Sequence, residues 1–567
     1  MTNTFFSPRR FAGVILLCTS LATGVSAHAA GQGYVVTKTG DGVQIATGTP
    51  PADQATRLAL PLRFETVTVT GMPDALADRV RARASDRVGR TGRAADVFAL
   101  AQEIENLHRE AGFALARVYL PPQRVRNGGS LRIEVVDVRL EGFDLEGLPP
   151  MVAERVRHHL SPLLGRSLLR TDDLARAVGL LQIEFGVTFK VEPLEGSQPD
   201  RVRLQVRGPT KSWIGDVSGF GLVSRPFSHF LFSGNLTSFM PAALGGRLSV
   251  GGAVGQREEQ AAAGPLFTAG AVYAVPLDLP IDAFAEVGVA GARVIRKAPV
   301  LALTDIYEFG RVYARMGLPL LVSGTQSILM KVGPDFTGEM LTSRTVLPYR
   351  VIDQDSAYTG VLRAELIWVA QYANGISTEA GLLGTLGQTR GARHVVVGED
   401  SAGENRTNAI GLITARARVV VPVWWDAYVA VAGRAQFSAL GPLPLSEQFQ
   451  LFRAAEATAF DPETDQGESG VVGRIELGRR FPAEWVLPGA ALTPYVFGGG
   501  GAIWKVADSF GRRIGTGETW GVGATLALPP LADFPVGATL GVELYRQVST
   551  TVVPDYTGLT LRLSARF

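Results

Sequence analysis

The chain has 567 residues, 66 of them glycine, with 46% hydrophobic and 19% charged residues, which excludes a disordered polymer and a helical bundle. Its single cysteine, Cys18, lies in the N-terminal apolar segment, so beyond that segment there is no disulfide, thiolate metal ligand or cysteine nucleophile. Setting residues 1–29 aside leaves 53 basic against 53 acidic residues, a balance that gives no support to binding nucleic acid or another polyanion.

In chain order, Arg9 and Arg10 precede an apolar stretch from Phe11 to Val25, and Ala27-His28-Ala29 supplies small residues. This pattern predicts a signal peptide over residues 1–29, cleaved before Ala30. No later run reaches the ~18 apolar residues of a membrane helix. Residues 30–62 form an N-terminal extension. Tyr34-Val35-Val36-Thr37 and Val43-Gln44-Ile45 flank Thr39-Gly40-Asp41-Gly42, which predicts a hairpin, and Thr49-Pro50-Pro51-Ala52 reads as a linker.

Residues 63–137 and 138–207 read as two copies of one small β-α-α-β-β module. The first has a strand from Phe64 to Thr70 and helices around Ala75 to Ala84 and Ala94 to Ala111, with strands Phe113 to Leu120 and Leu131 to Val136 closing it. Val97, Leu100, Ala101, Ile104, Leu107 and Ala111 make one apolar stripe on the second helix. The second module has a strand at Val138 to Phe143 and a helix at Val152 to Leu160. A second helix, with Thr171 as its predicted N-cap, ends near Phe185, and strands Val187 to Glu192 and Arg201 to Val206 follow. Each three-stranded module leaves an edge open to another strand.

Residues 208–567 change character. All seven tryptophans and ten of the twelve tyrosines lie here, as the aromatic girdles of a membrane β-barrel require. The C-terminus alternates: Leu559, Leu561, Leu563, Ala565 and Phe567 on one face, Thr560, Arg562, Ser564 and Arg566 on the other. That period suits a strand between lipid and a wet lumen. Leu362 to Val369, Tyr428 to Phe437 and Val471 to Leu477 are similar. Sixteen strands would take about 22 residues each with their connections. A soluble β protein with a Trp-rich core is the alternative that alternation alone leaves open.

Leu115-Ala116-Arg117-Val118-Tyr119-Leu120-Pro121-Pro122-Gln123 and Gly129-Ser130-Leu131-Arg132-Ile133-Glu134-Val135 resemble the first POTRA domain of two-partner secretion transporters, the haemolysin secretion/activation family of the Omp85 superfamily. The likeness continues at Pro162-Leu163-Leu164-Gly165-Arg166-Ser167-Leu168 and at Leu443-Pro444-Leu445-Ser446-Glu447-Gln448-Phe449, and ends at Phe567. The resemblance implies an all-β transmembrane 16-stranded barrel preceded by two α/β POTRA domains. It implies an outer-membrane location in a Gram-negative bacterium with the POTRA domains in the periplasm, and export of a large secreted β-helical exoprotein (type V secretion). Outer-membrane lipids and the barrel assembly machinery would be the other partners. The POTRA motif would be Leu120, Pro121, Pro122 and Gln123, and Phe567 the barrel insertion signal. A barrel-assembly or biogenesis factor of the same superfamily is the second reading. A passive porin or adhesin barrel is a third, against which the periplasmic modules argue.

The family carries a lid loop, placed here near 446–470, whose tip Arg pairs with an Asp in a Phe-x-Asp-x-Gly motif. This chain departs at both ends: the tip reads Ala457-Thr458-Ala459-Phe460 and the partner motif Phe497-Gly498-Gly499-Gly500-Gly501. Losing both charges together avoids stranding either one; Phe460 packing is the expected substitute hold, with Arg453 pairing with another acid, such as Glu476, as the alternative. The family's plug helix is also not expected in residues 30–62. No phosphate-binding loop is present, Ser469 lacks a full nucleophile-elbow pattern, and the histidines, including adjacent His158 and His159, read as surface residues. The expectation is therefore no enzyme, no catalytic residue, no metal and no cofactor.

Overall fold

The structure, a computed structural model, describes residues 34–39, 41–47, 53–113, 115–167, 169–198, 200–224, 228–240, 246–259, 262–277, 279, 281–298, 303–345, 351–397, 400–451, 466–504, 514–530, 537–550 and 555–567. The predicted signal peptide lies outside them. The described chain forms two compact units, one ending at Thr210 and the next beginning at Lys211. Among the described residues no helix is long and apolar enough to cross a membrane.

The first unit opens with β1 (Tyr34–Thr39) and β2 (Gly42–Thr47), an antiparallel hairpin closing at Thr39↔Gly42. After α1 (Gln54–Leu58) come β3 (Pro61–Thr70), α2 (Ala77–Ser85), β4 (Thr91–Arg93), α3 (Ala95–Glu110), β5 (Arg117–Tyr119), β6 (Gln123–Arg126) and β7 (Gly129–Val136). The main sheet has the order β4-β3-β7-β5. The stripe predicted on α3 is buried: Val97, Leu100, Ile104 and Leu107 pack against Leu131 and Ile133. The hairpin does not stand apart. β2 pairs with β6, Val43 opposite Val125 and Ile45 opposite Gln123, and Val36, Val43 and Ile45 are buried in the same core.

The strand expected from Phe113 is shorter. Only Arg117–Tyr119 pairs with β7, because Phe113 instead bridges to Arg170. Leu120 is buried and donates its N–H to the Tyr34 hydroxyl at 3.2 Å. Pro121 and Pro122 link β5 to β6. Gln123 ties β6 to β7 through its side chain, donating to the Arg132 carbonyl (2.7 Å) and accepting from its N–H (2.9 Å).

The second module comprises β8 (Arg139–Asp144), α4 (Pro150–Leu160), α5 (Thr171–Phe185), β9 (Lys190–Glu195) and β10 (Arg201–Arg207), in sheet order β8-β10-β9. Three expectations need correction. Thr171 is the first helical residue rather than the cap: Arg170 holds the cap position in extended conformation, without a side-chain bond. The strand predicted from Val187 begins at Lys190, because Gly186 ends the helix left-handed and Phe189 is used in the core against Phe185. His159 and His108 are not surface residues. His108 is fully buried, its Nδ1 2.8 Å from the Ile104 carbonyl. His159 lies 2.9 Å from Glu184, which also accepts from Arg155 at 2.7 Å. Burial alone would push the Glu184 carboxyl up, but the His159 and Arg155 bonds outweigh it and hold the group below the usual carboxylate range.

The second unit is a closed antiparallel barrel. Its strands are β11 (Trp213–Ser224), β12 (Ser228–Met240), β13 (Gly246–Glu259), β14 (Ala262–Pro276), β15 (Phe284–Ala298), β16 (Leu303–Val322), β17 (Gln326–Thr345), β18 (Val351–Gln371), β19 (Ser377–Val397), β20 (Asp400–Pro422) and β21 (Ala427–Leu440). A long loop with the two-residue strands β22 (Phe449–Gln450) and β23 (Gln466–Gly467) follows. Then come β24 (Ser469–Arg479), continued by β25 (Phe481–Pro482), β26 (Ala491–Trp504), β27 (Ile514–Leu528), β28 (Gly537–Ser549) and β29 (Tyr556–Arg566). With β24 and β25 counted as one, sixteen strands close the wall.

The seam joins β11 to β29, Gly219 opposite Leu563, and Gly215 and Phe567 exchange backbone bonds of 3.0 Å. The Phe567 ring meets Trp213 edge-on at 5.8 Å. Alternation sorts the faces as the sequence suggested. Leu540, Val542 and Leu544 on β28, and Leu561 and Leu563 on β29, are exposed outward, whereas Glu543 and Thr560 are buried inside. An apolar outer belt around a polar interior is the arrangement of an outer-membrane barrel.

Candidate functional site: the lid loop on the barrel wall

The loop joining β21 to β24 is held at its base by the inner wall. Its descending arm makes a single 3-10 turn, Leu445–Glu447, whose N-terminal N–H groups lack intrahelical partners. Glu339 of β17 supplies them: one carboxylate oxygen accepts from Leu445 N–H and the other from Ser446 N–H, each at 2.9 Å. The Tyr307 hydroxyl donates to the same carboxylate at 3.1 Å. Glu447 forms an ion pair with Arg363 of β18. Arg363 in turn lies 2.9 Å from Asp335, which also takes Arg311 Nε at 2.8 Å and Arg315 at 3.1 Å. Asp335 is 0% exposed. Three guanidinium groups thus face two carboxylates, Asp335 and Glu447, with Glu339 alongside.

Further along, Phe449 and Leu451 are buried with Val472 and Ile503 of the wall. Arg434 lies over the Phe449 ring at 4.3 Å and donates to the Gln450 carbonyl at 2.6 Å. Gln436 donates to the carbonyls of Glu447 and Glu468 on the two arms, at 2.8 and 3.1 Å. β22 and β23 pair to close the neck. Gly470 has no side chain for a reason: a Cβ there would sit 2.1 Å from the Phe449 ring.

The expected tip residues Ala457, Thr458, Ala459 and Phe460, and Arg453 before them, lie outside the described residues. The expected partner motif is on β26 and splits between two roles. Gly501 makes room for the loop base, its ideal Cβ falling 2.9 Å from Leu451. Phe497 and Gly499 face Arg474 of β24. The guanidinium stacks over the Phe497 ring at 3.8 Å and bonds to Glu543 of β28 at 2.8 Å and to Glu476 at 2.9 Å. Glu476 accepts from Tyr428 (2.6 Å), and Glu543 from Tyr495 (2.8 Å) and Arg562 (3.3 Å). Gly499 lies opposite Arg474 in register, and a Cβ there would be 2.6 Å from the Gly473 carbonyl. Among the described residues, the wall therefore supplies a cation and its acids at this motif. An acid at 499 would meet Arg474.

Sequence reading missed Asp335, Glu339, Arg363, Glu447, Arg474 and Glu543. Glu447 lies on the loop, inside the Leu443 to Phe449 stretch, where no role was read for it; for the others the one signal is charge at inward positions of otherwise apolar strands, as in Arg363 and Glu365 between Leu362, Ala364 and Leu366.

Residues 62–137 match the family model of the POTRA domain, ShlB-type. No curated protein matches the chain. Among solved structures, the fold is similar to CdiB from Escherichia coli, 14% identical, TM-score 0.53, covering 100% of both chains. It is also similar to CdiB from Acinetobacter baumannii, 13% identical, TM-score 0.51, covering 96% of each. The chain thus joins a POTRA module of ShlB type to a closed β-barrel of the outer-membrane kind. Its overall fold is similar to that of CdiB.

Proposed function

We propose that the protein exports one large β-helical exoprotein, unfolded, from the periplasm through the barrel to the cell surface. The observation that carries this reading is a ShlB-type POTRA module on the same chain as a barrel whose inward loop is clamped at its base. A loop tethered through Glu339 and Glu447 keeps its place on the wall while the lumen conducts a chain. Nothing in this cycle requires bond chemistry: capture needs a free strand edge, and surface folding of the exoprotein favours outward motion. The reading is thus a conduit rather than an enzyme.

Capture by strand addition draws affinity from backbone hydrogen bonds. Among the described residues, β8 and β9 are the edges of the second module's sheet, each laddered to β10, with β8 also accepting Gly165 N–H at the Leu140 carbonyl at 2.8 Å. β9 carries Pro193, and proline blunts an edge. β8 is therefore the favoured acceptor. The domain limits 63–137, 138–207 and 208–567 are part of this proposal. The test is co-expression with the product of a neighbouring gene for a large β-helical exoprotein. Surface delivery that depends on this chain supports export. Retention of the exoprotein, with loss of unrelated barrels on depletion, favours the biogenesis reading.

A further inference from the structure

We propose that the two turns below the lid-bearing strands form a phospholipid anchor at the end of the barrel where its chain enters and leaves. β21 and β24 carry the lid loop at one end. At the other end, the turn before β21 holds Trp424 and Trp425, and the turn after β25 holds Trp485. These side chains are 69%, 74% and 80% exposed. Trp424 and Trp425 meet edge-on at 6.0 Å. Phe481 and Val486 extend the exposed patch.

The backbone shows that this exposure is not incidental. Trp425 and Asp426 both have positive φ, 58° and 57°, with Ala427 N–H donating to the Trp424 carbonyl at 3.2 Å. Two such residues make the tight hairpin turn that Asn-Gly forms without strain, and a bulky residue rarely adopts this conformation. Folding alone would favour other residues here. Arg480, between β24 and β25, donates its N–H to the Asp426 carbonyl at 3.0 Å, which ties the first turn to the strand leading into the second.

The patch continues the membrane-facing belt: Val431, Ile475, Leu477 and Val496 are exposed on the same strands. That continuity selects lipid over water as the occupant. Arg479, over the Phe481 ring at 4.8 Å, places a cation beside the aromatics, which suits phosphate head groups above an acyl boundary. An ordinary girdle carries its aromatics on the outer faces of strands. These three ride on turns, on the two strands from which the lid hangs. Embedding them fixes the lower ends of that strand pair against the bilayer. The inference does not depend on which polypeptide crosses the lumen.

The test uses the full chain refolded into phosphatidylethanolamine/phosphatidylglycerol vesicles, in variants that keep only Trp425 or only Trp485 and carry Phe at the other tryptophans. Each is expected to lose most of its emission to phospholipid brominated near the head of the acyl chain, and little to aqueous acrylamide. If those variants fail to fold, Cys18→Ser/Trp425→Cys with a nitroxide label replaces them, and oxygen should relax the label more than a water-soluble nickel complex. Strong acrylamide or nickel access without bromolipid quenching would overturn the proposal and leave the turns to water or to a periplasmic protein.

Discussion

Replacing Arg363 with Met removes a cation of similar reach from the lid clamp. Asp335 keeps Arg311 and Arg315, so the burden falls on Glu447, which is left buried without its ionic partner. Stranding one member of a buried pair typically costs about 3–5 kcal/mol, which multiplies the undocked population of the loop base by roughly 10² to 10⁴. The remaining hold is still substantial. Glu339 accepts two N–H bonds, worth about 1.5–3 kcal/mol each for a charged acceptor. Burial of Phe449 and Leu451 adds about 1.5–3 kcal/mol apiece. The single variant should therefore open only transiently, and Arg363→Met/Glu339→Gln should release the base. Conductance in planar bilayers and protease nicking of the loop read this out, with heat-modifiability on gels confirming a folded barrel. Arg363→Met/Glu447→Gln should recover part of the single-variant loss, since neither charge is stranded. A folded Arg363→Met/Glu339→Gln barrel with wild-type conductance and nicking would refute the clamp.

Gly499→Asp should destabilise the barrel by about 1–3 kcal/mol, because its Cβ meets the Gly473 carbonyl. Adding Thr458→Arg tests whether the two positions meet, strict additivity in thermal unfolding showing that they do not. Deleting residues 34–47 removes Val36, Val43 and Ile45 from the first POTRA core, about 5–9 kcal/mol at 1.5–3 kcal/mol per side chain. That is comparable to a small domain's whole stability, so limited proteolysis of the full chain should then cut this module selectively. Because the folded Glu184 carboxyl titrates below its unfolded value, its contribution is present above the unfolded pKa and fades as pH falls through the folded one. Glu184→Gln should remove that acid-side loss from the denaturation profile of the periplasmic unit. Proline introduced along β8 should block secretion while barrel insertion survives, and normal secretion by folded variants would remove that edge from the mechanism. Phe567→Asp should sharply lower folded barrel in membrane fractions, and undiminished barrel would count against a C-terminal insertion signal.

Elements written locally were legible in the sequence. Leu559 to Phe567 declares its two faces in nine residues, and the α3 stripe from Val97 to Leu107 declares one, because period alone encodes which side is buried. Tyr34 to Ile45 likewise announces a hairpin. Its docking on β6 was not legible, since pairing with Gln123 to Arg126 depends on chain far along the sequence. The clamp was hidden for the same reason: Arg363 and Glu447 are 84 residues apart, and a lone inward charge on a strand names no partner. His158 and His159 show the limit at short range. As helix neighbours they diverge, one exposed and one nearly buried on Glu184, and only the surrounding fold decides which.

The most direct test of the central claim is translocation in a purified system. Vesicles containing only this protein, oriented with the POTRA modules outside, are given the unfolded exoprotein externally, followed by protease. Export predicts a protease-protected, folded exoprotein inside the vesicles, in an amount that falls when β8 carries proline. Exoprotein that remains wholly digestible, with the barrel shown to be folded and correctly oriented, would contradict it.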